Sequence, residues 1–494
     1  QFDTLNINDF EWLDHLIKSS NFYKHSFTPI INHDGSFKCF AYTPSEKEIS
    51  RILSEFIPSI TIIGMGYVGV TLAVVMANSG FKVTCIEKDV KKRKLLKSGQ
   101  VPFYEAGLTE LFQQLYKENK IIIKSPSEKN SSNFVVITVG TPLLTDKNEP
   151  NIEYLYNALD IATRQLSNGG VIVLRSTVPV GSTLKIKQKN FNQFVQYKIE
   201  DTKYFAFCPE RTLEGKALEE LKSNPQIIGS ESAIARGKIK KVFDKFVNQT
   251  IELSGATEAE LVKLSDNTFR DISFAFSNSL SNISMKYGID AISVIEAANK
   301  DYPRTNIPYP SPGVGGPCLT KDPYIMTYGL KNLDNKVKNY LQSGRYISDI
   351  TINEITNKIK NLKKELTSIV LLCGIAFKGE PVTDDLRDST SIKILNKLTE
   401  KNIKVKIWDP LIPAKELKKI FNKNIISLPP CKLGKQKELL IILANNSPQF
   451  SKLDWNKIIK MSEKLILIDC WGVCEYLANF ENSKLSYYRL GRNL

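Results

Sequence analysis

Histidine is almost missing from this chain. Of 494 residues three are His, and His15, His25 and His33 all precede residue 34. No histidine of the main body can then act as a general base, which excludes Ser-His hydrolases and His-Asp dehydrogenases there and leaves acid–base work to Cys, Lys, Asp and Glu. Long apolar runs are lacking too: none reaches 18 residues, so no membrane span is expected. The opening QFDTLNINDFEWLDHL has no basic start followed by an apolar core and does not read as a signal peptide. The eight cysteines (Cys39, Cys85, Cys208, Cys318, Cys373, Cys431, Cys470 and Cys474) are scattered. Cys470 and Cys474 alone are close, with no histidine nearby, so neither a disulfide framework nor a zinc pattern emerges. No metal is expected; reduced thiols in a cytoplasmic compartment are. Arginine–aromatic arrays suited to base stacking are also absent. The net charge of +15, spread over scattered lysines, therefore suits small anions such as nucleotides better than nucleic acid.

What the chain does have is material for real cores: 42% apolar and 24% charged residues over a length that suggests about three domains. Residues 1–55 read as an N-terminal extension, with turn material (INHDGSF) and a helix-like segment in which Ser45 and Glu48 have capping-box spacing. The stretch SITIIGMGYVGVTLAVVMANSGFKVTCIEKD then reads as strand, glycine turn, helix, strand. Gly64, Gly66 and Gly69 supply the G-x-G-x-x-G spacing: a tight turn, a close backbone approach to a pyrophosphate, and close helix packing. Tyr67 and Val68 lie inside that turn. Glu87, about 20 residues on, stands where a ribose-binding carboxylate belongs and favours NAD over NADP. Further buried-strand patterns end in Thr141, Ser176, Thr177 and Glu210, positions open either to ligand contacts or to turn and cap roles.

From about residue 253 the texture turns helical. Thr257 and Glu260 have capping-box spacing, and Lys263 and Asn267, four apart, share one helix face that is either functional or merely solvated. The loop SPGVGGPCLTKDPY places Cys318 among glycines and prolines, either as an inert buried thiol or as a nucleophile. After about 345 a second alternating half begins, without a G-x-G-x-x-G. The expected fold is α/β: two doubly wound Rossmann-like domains joined by a central helical domain. Its expected boundaries are 56–252 for the NAD-binding domain, 253–350 for the central helical domain and 351–494 for the C-terminal domain.

Ten motifs in order, GMGYVG with Glu87, VPFYEAGL, TVGTP, STVPVGST, CPERTLEG, ELVKLSDN, GVGGPCLTKD, GIAFKG, DLRDS and WDP, resemble the nucleotide-sugar 6-dehydrogenases from about residue 58 to 494. The resemblance implies NAD-dependent, four-electron oxidation of the C6 alcohol of a UDP-sugar to a uronate, supplying surface polysaccharide precursors. It implies that Cys318 is a nucleophile forming a thiohemiacetal and then a thioester, with Lys263 and Asn267 at the reacting oxygen. Asp322 and Thr177 would hold a water or relay a proton, and Glu210 would serve thioester hydrolysis. Glu214, Arg304, Phe377 and Lys378 would bind the UDP-sugar, Arg304 reaching a neighbouring subunit of a homodimer or higher oligomer, and Arg387 would contact NAD. Pro317 ahead of an expected helix start would set Cys318 near a positive dipole end. Arg175 departs from the acid or lysine of many relatives. The resemblance further makes 253–350 the dimerisation domain and 351–494 the UDP-sugar-binding domain. CPERTLEGKALEEL, with Arg211 where the UDP-glucose branch has an aromatic, and PGVGG look like the UDP-N-acetylhexosamine branch; UDP-N-acetylmannosamine is expected first, UDP-N-acetylglucosamine second and UDP-glucose third. A one-hydride dehydrogenase and a non-catalytic nucleotide-sugar binder are the competing readings.

Overall fold

A computed structural model describes residues 26–31, 37–42, 47, 50, 51, 54, 58–144, 147–186, 204–330, 332–364, 369–480 and 482–493. The three histidines, Ser45 and Glu48 lie outside the described residues. Two strands, β1 (Ser26–Ile31) and β2 (Phe37–Tyr42), pair antiparallel within the extension. By its contacts the chain divides into two compact units, Gln1–Pro102 with Ala106–Leu264, and Phe103–Glu105 with Ser265–Leu494.

The first unit is built on β-branched tetrads and hexads too apolar to face water on either side, which is the signature of a parallel sheet covered on both faces. In chain order it contains β3 (Ile60–Ile63), α1 (Tyr67–Asn78), β4 (Val83–Ile86), α2 (Val90–Lys97), α3 (Leu108–Lys117), β5 (Ile121–Lys124), β6 (Ser132–Ile137), α4 (Glu153–Gln165), β7 (Leu166–Leu174), β8 (Tyr204–Phe207), α5 (Ala217–Ser223), β9 (Gln226–Gly229), α6 (Ala233–Phe243) and β10 (Thr250–Leu253). The sheet order is β10-β9-β8-β7-β6-β3-β4-β5. The six strands from β8 to the β5 edge are parallel, β9 joining β8 antiparallel, and the strand order reverses between β3 and β6, the dinucleotide-binding arrangement. Helix α1 is buried from Gly69 through Ala77. The opposite face is filled by Leu155, Ala158, Leu159 and Ala162 of α4 packed against Ile63, Val135, Ile137 and Ile172.

A 32-residue helix, α7 (Ala256–Tyr287), follows. The expected capping box does not form: Glu258, not Glu260, reaches back to the Gly255 amide at 2.8 Å, because the helix starts at Ala256 rather than after Thr257. Helices α8 (Ala291–Asn299), α9 (Asp322–Thr327) and α10 (Asn335–Lys364) complete the helical stretch. The second sheet is wholly parallel and ordered β12-β11-β13-β14-β15, from β11 (Ile369–Cys373), β12 (Val405–Trp408), β13 (Gln436–Leu443), β14 (Ser462–Asp469) and β15 (Leu485–Arg489). Helices α11 (Thr390–Glu400), α12 (Ala414–Ile420) and α13 (Trp455–Lys460) cover it. Two doubly wound sheets with helices between them in sequence is the expected architecture; the short strands β5, β9, β10 and β15 are additions to it. Among the described residues no helix is long and apolar enough to cross a membrane.

Candidate active site

The three glycines of the first turn each have a separate reason. Gly64 has φ +97°, and a Cβ there would lie 3.0 Å from the Val139 side chain. A Cβ on Gly69 would lie 2.0 Å from the Gly64 carbonyl, so only glycine lets α1 start this close to β3. A Cβ on Gly66 would meet nothing within 4 Å: the space in front of the helix start is open. No side chain caps that start, so its amides are left to an anion. Glu87 follows β4 and is buried; its Oε2 accepts from the Met65 amide at 3.0 Å and its Oε1 from the Asp89 amide at 2.9 Å. Lys92 stands 3.5 Å from Oε2. The carboxylate is thus fixed beside the glycine turn with lone pairs to spare. Thr141, beyond β6, is buried, and its hydroxyl has no partner among the described residues. An open phosphate cradle, a fixed acid and an orphaned hydroxyl are what a dinucleotide would satisfy, so these residues fit NAD. Tyr67 turns its hydroxyl to accept from the Gly215 amide at 2.9 Å, tying the turn to the CPERTLEG loop.

Glu210 is more committed than expected. Arg175 donates from Nε at 3.0 Å and from Nη2 at 2.8 Å to its Oε2, while the Arg211 and Thr212 amides, each at 2.8 Å, fill Oε1. Burial works to raise this carboxyl, but the Arg175 guanidinium and the Thr212 bonds outweigh it and hold it below the usual range. Glu210 is therefore a fixed anion rather than a poised base. The departure at Arg175 is explained by the same contact: Arg175 is Glu210's counterion, bonded also to Gln226 Oε1 at 2.9 Å. Ser176 lies buried, its hydroxyl 3.4 Å from the Ile137 carbonyl, and Thr177 is half-buried.

In the second unit Cys318 is exposed; among the described cysteines the others are buried, except the half-buried Cys431. Cys470 and Cys474, the close pair, are both buried and their thiols pushed up by burial. Helix α9 begins at Asp322, four residues past Cys318, so the expected helix-end position of the thiol does not form; a turn intervenes, with the Cys318 carbonyl accepting from the Lys321 and Asp322 amides at 3.2 and 3.0 Å. The cation comes instead from Lys321, which the sequence reading passed over although it stands inside CLTKD. Burial would lower the Lys321 ammonium's pKa, but Asp322 and then Cys318 raise it more, so the charge persists within electrostatic reach of the thiol.

Asp322 is wholly buried and accepts from Lys321 Nζ at 2.7 Å and from Asn267 Nδ2 at 2.6 Å. Asn267 thereby spends its amide nitrogen on Asp322. Lys263, one turn earlier on α7, is buried, as Asn267 is, so this helix face is not solvated. The bareness of the loop serves internal packing: a Cβ on Gly316 would lie 2.7 Å from the Phe377 ring, and one on Gly313 would collide with Ser348. Arg345 braces the loop, donating to the Val314 carbonyl at 3.0 Å while paired with Asp271 of α7. Phe377 is thus a wall of the loop, with the Lys378 ammonium 5.3 Å over its ring. Arg387 forks onto Asp385, and Arg304 stands exposed, 5.9 Å over the Tyr302 ring. Glu214 is half-buried in its loop. Among the described residues no group of three or more His, Cys, Asp or Glu is placed to hold a metal.

Three consecutive stretches match the UDP-glucose/GDP-mannose dehydrogenase family: residues 58–247 its NAD binding domain, 257–349 its central domain and 371–476 its UDP binding domain. The chain is 30% identical over 428 residues to a UDP-N-acetyl-D-mannosamine dehydrogenase of Methanococcus vannielii, covering 85% of this chain and 94% of that protein. It is 31% identical over 415 residues to one of Methanocaldococcus jannaschii, covering 83% and 91%. A solved UDP-D-ManNAc dehydrogenase from Pyrococcus horikoshii superposes with a TM-score of 0.76 at 26% identity, over 88% of this chain and 99% of that one.

Proposed function

The chain belongs to the UDP-glucose/GDP-mannose dehydrogenase family and is an NAD-dependent nucleotide-sugar dehydrogenase; on that premise we propose that it oxidises the C6 alcohol of UDP-N-acetylmannosamine to the uronate through Cys318. The supporting observation is the exposed Cys318 thiol, three residues before Lys321, whose ammonium is held by buried Asp322. The glycine turn and Glu87 would hold NAD, which when bound would supply the hydride acceptor for each of two oxidations. In the first, C6 loses a hydride and its hydroxyl a proton, giving the aldehyde. The Cys318 thiolate then adds to C6, forming a carbon–sulfur bond and an oxyanion that the Lys263 ammonium stabilises. Loss of a second hydride from C6 turns this thiohemiacetal into a thioester. Water adds, the carbon–sulfur bond breaks, and the thiolate returns. One alcohol, one water and two NAD yield one carboxylate, two NADH and three protons.

Asp322 keeps Lys321 charged and Asn267 oriented, and with Thr177 holds the attacking water. Glu210, as a fixed anion, shapes the loop that brings Glu214 to the substrate. Phe377, Lys378 and Arg304 bind the nucleotide sugar, and Arg387 binds NAD. Arg211 supports an acetamido sugar over UDP-glucose, the names of the relatives support UDP-N-acetylmannosamine over UDP-N-acetylglucosamine, and the uronate suits surface polysaccharide assembly. A homodimer is the proposed state: Phe269, Phe276 and Ile283, seven apart on α7, are 74%, 57% and 52% exposed, an apolar stripe suited to a second copy. The test is a panel of UDP-sugars with NAD, counting NADH per sugar. Two per sugar, fastest with UDP-N-acetylmannosamine, is expected; one per sugar for every substrate refutes the thioester route.

A further inference from the structure

Glu260 was a candidate helix cap, and the structure gives it other work. It lies on the first turn of α7, wholly buried, and its Oε2 accepts from the Gly181 amide at 2.5 Å. Its Oε1 accepts from the Thr183 amide at 2.7 Å and the Thr183 hydroxyl at 2.6 Å. All three donors belong to the stretch STVPVGST, a loop that ends in the helical turn begun at residues 182 and 183. The start of that loop is held by the Arg175 amide, 2.9 Å from the Ile137 carbonyl, and its middle by Val178, which is buried in the sheet's core. Thr177, half-buried, lies between the tie at Arg175 and the tie at Gly181, next to Val178. Lys263 projects three residues beyond Glu260, on the same side of the helix.

We propose that Glu260 is a positioning residue for the reaction, clamping the loop that carries Thr177 to the helix that carries Lys263. The inference rests on the roles given above to Thr177 and Lys263. A carboxylate suits the task because both oxygens accept at once, bridging residues 181 and 183 from a single side chain. No hydroxyl or amide of that length offers two such acceptors. The charged group set against it is Glu231, whose Oε1 accepts from the Ala256 amide at 3.2 Å and which repels it. Burial pushes the Glu260 carboxyl up to about 6, against the bonds from Thr183 and Gly181 that favour the ion, with Glu231 adding to the rise. Replacing one of these oxygens by an NH2 group removes an acceptor from a loop whose amides already point at it.

Glu260→Gln copies the protonated state at every pH, since its NH2 cannot accept. The expected loss in kcat is about tenfold to a hundredfold, the scale of a small misplacement of reacting groups, with NAD affinity within about twofold of wild type. Hydrogen exchange, corrected for intrinsic rate, gives a readout independent of activity. Residues 176–186 should be protected in the wild type and lose that protection in the variant. Loop protection indifferent to the substitution overturns the clamp, whatever the substrate proves to be. A loop loosened by the substitution together with unchanged kcat overturns its part in the reaction. Failure of every UDP-sugar with wild-type enzyme refutes the proposed function instead, and the exchange result still decides whether Glu260 clamps. If the Gln variant fails to fold, Glu260→Asp, which keeps the charge and both acceptors but shortens the reach, carries the test: it should loosen the same residues and lower kcat, and a loop and kcat like those of the wild type overturn the clamp.

Discussion

The two sheets begin with the same turn and put it to different uses. After β3, Gly64 takes φ +97° and donates its amide to the Ile86 carbonyl at 2.8 Å; after β11, Gly374 takes φ +85° and donates to the Trp408 carbonyl at 2.9 Å. In both, an acid beyond the neighbouring strand captures the next amide: Glu87 that of Met65 and Asp409 that of Ile375. The difference lies in what remains. Each oxygen of Glu87 takes one amide, whereas Asp409 takes four, from Ile375 and Ala376 on Oδ2 and from Leu411 and Ile412 on Oδ1. Gly66, two residues past Gly64, faces open space, while Ala376, two past Gly374, is buried with its amide given to Asp409 at 3.2 Å. Helix α1 starts three residues after Gly64, presenting its amides; α11 starts at Thr390, after a loop that carries Phe377, Lys378 and Arg387. One turn is left open to a phosphate. The other is closed on itself and supports a loop.

Removing the sulfur tests the division most severely. Cys318→Ser should cut uronate formation by at least about 10³-fold, the scale seen when a nucleophile is lost, while NAD dissociation measured by fluorescence stays within twofold. A variant that still turns over normally would return the loop to the role of a stiff turn.

Lys263→Ala should lower kcat by about a hundred- to a thousandfold, the usual cost of one oxyanion stabiliser, again with NAD binding little changed. Turnover within twofold of wild type would remove Lys263 from the chemistry.

The paired acids sharpen the comparison directly. Glu87→Gln should weaken NAD binding and narrow the preference for NAD over NADP, each by about tenfold, because a neutral amide no longer repels a 2′-phosphate. Asp409→Asn should leave cofactor choice alone and destabilise the second unit by about 2 kcal/mol, since amides are left facing an NH2 group. Equal effects of the two substitutions on NAD affinity would break the distinction between an open and a closed turn.

The smallest expected effect is a ranking of thiols. Brief iodoacetamide treatment at pH 8 should label Cys318 first and Cys431 next, with UDP-sugar plus NAD protecting Cys318. The thiols of Cys85 and Cys208 are pushed up to about 12 by burial, and those of Cys373, Cys470 and Cys474 are raised in the same direction. All five should stay unlabelled; peptide mapping that found Cys470 or Cys474 modified ahead of Cys318 would contradict the observed burial.

Much of this was legible in the chain itself. The glycine spacing, the apolar strand runs and the acid after the second strand are local patterns, since a turn that needs φ > 0 and a strand buried on both faces each restrict the residues that can occupy them. Partnerships across long separations were not legible. Arg175 looked like a departure until Glu210, 35 residues on, proved to be its partner, and Glu260 had the spacing of a cap until it met a loop some 77 residues earlier. Lys321 was in plain view, but no spacing rule says which neighbour of a cysteine is buried and kept charged. Sequence determined the sheets, the cofactor turn and the presence of a thiol, because these depend on contacts within a few residues. Tertiary structure alone decided which carboxylates are committed, which thiol faces solvent and which cation accompanies it, because burial and charge pairing depend on residues the chain brings together only when folded.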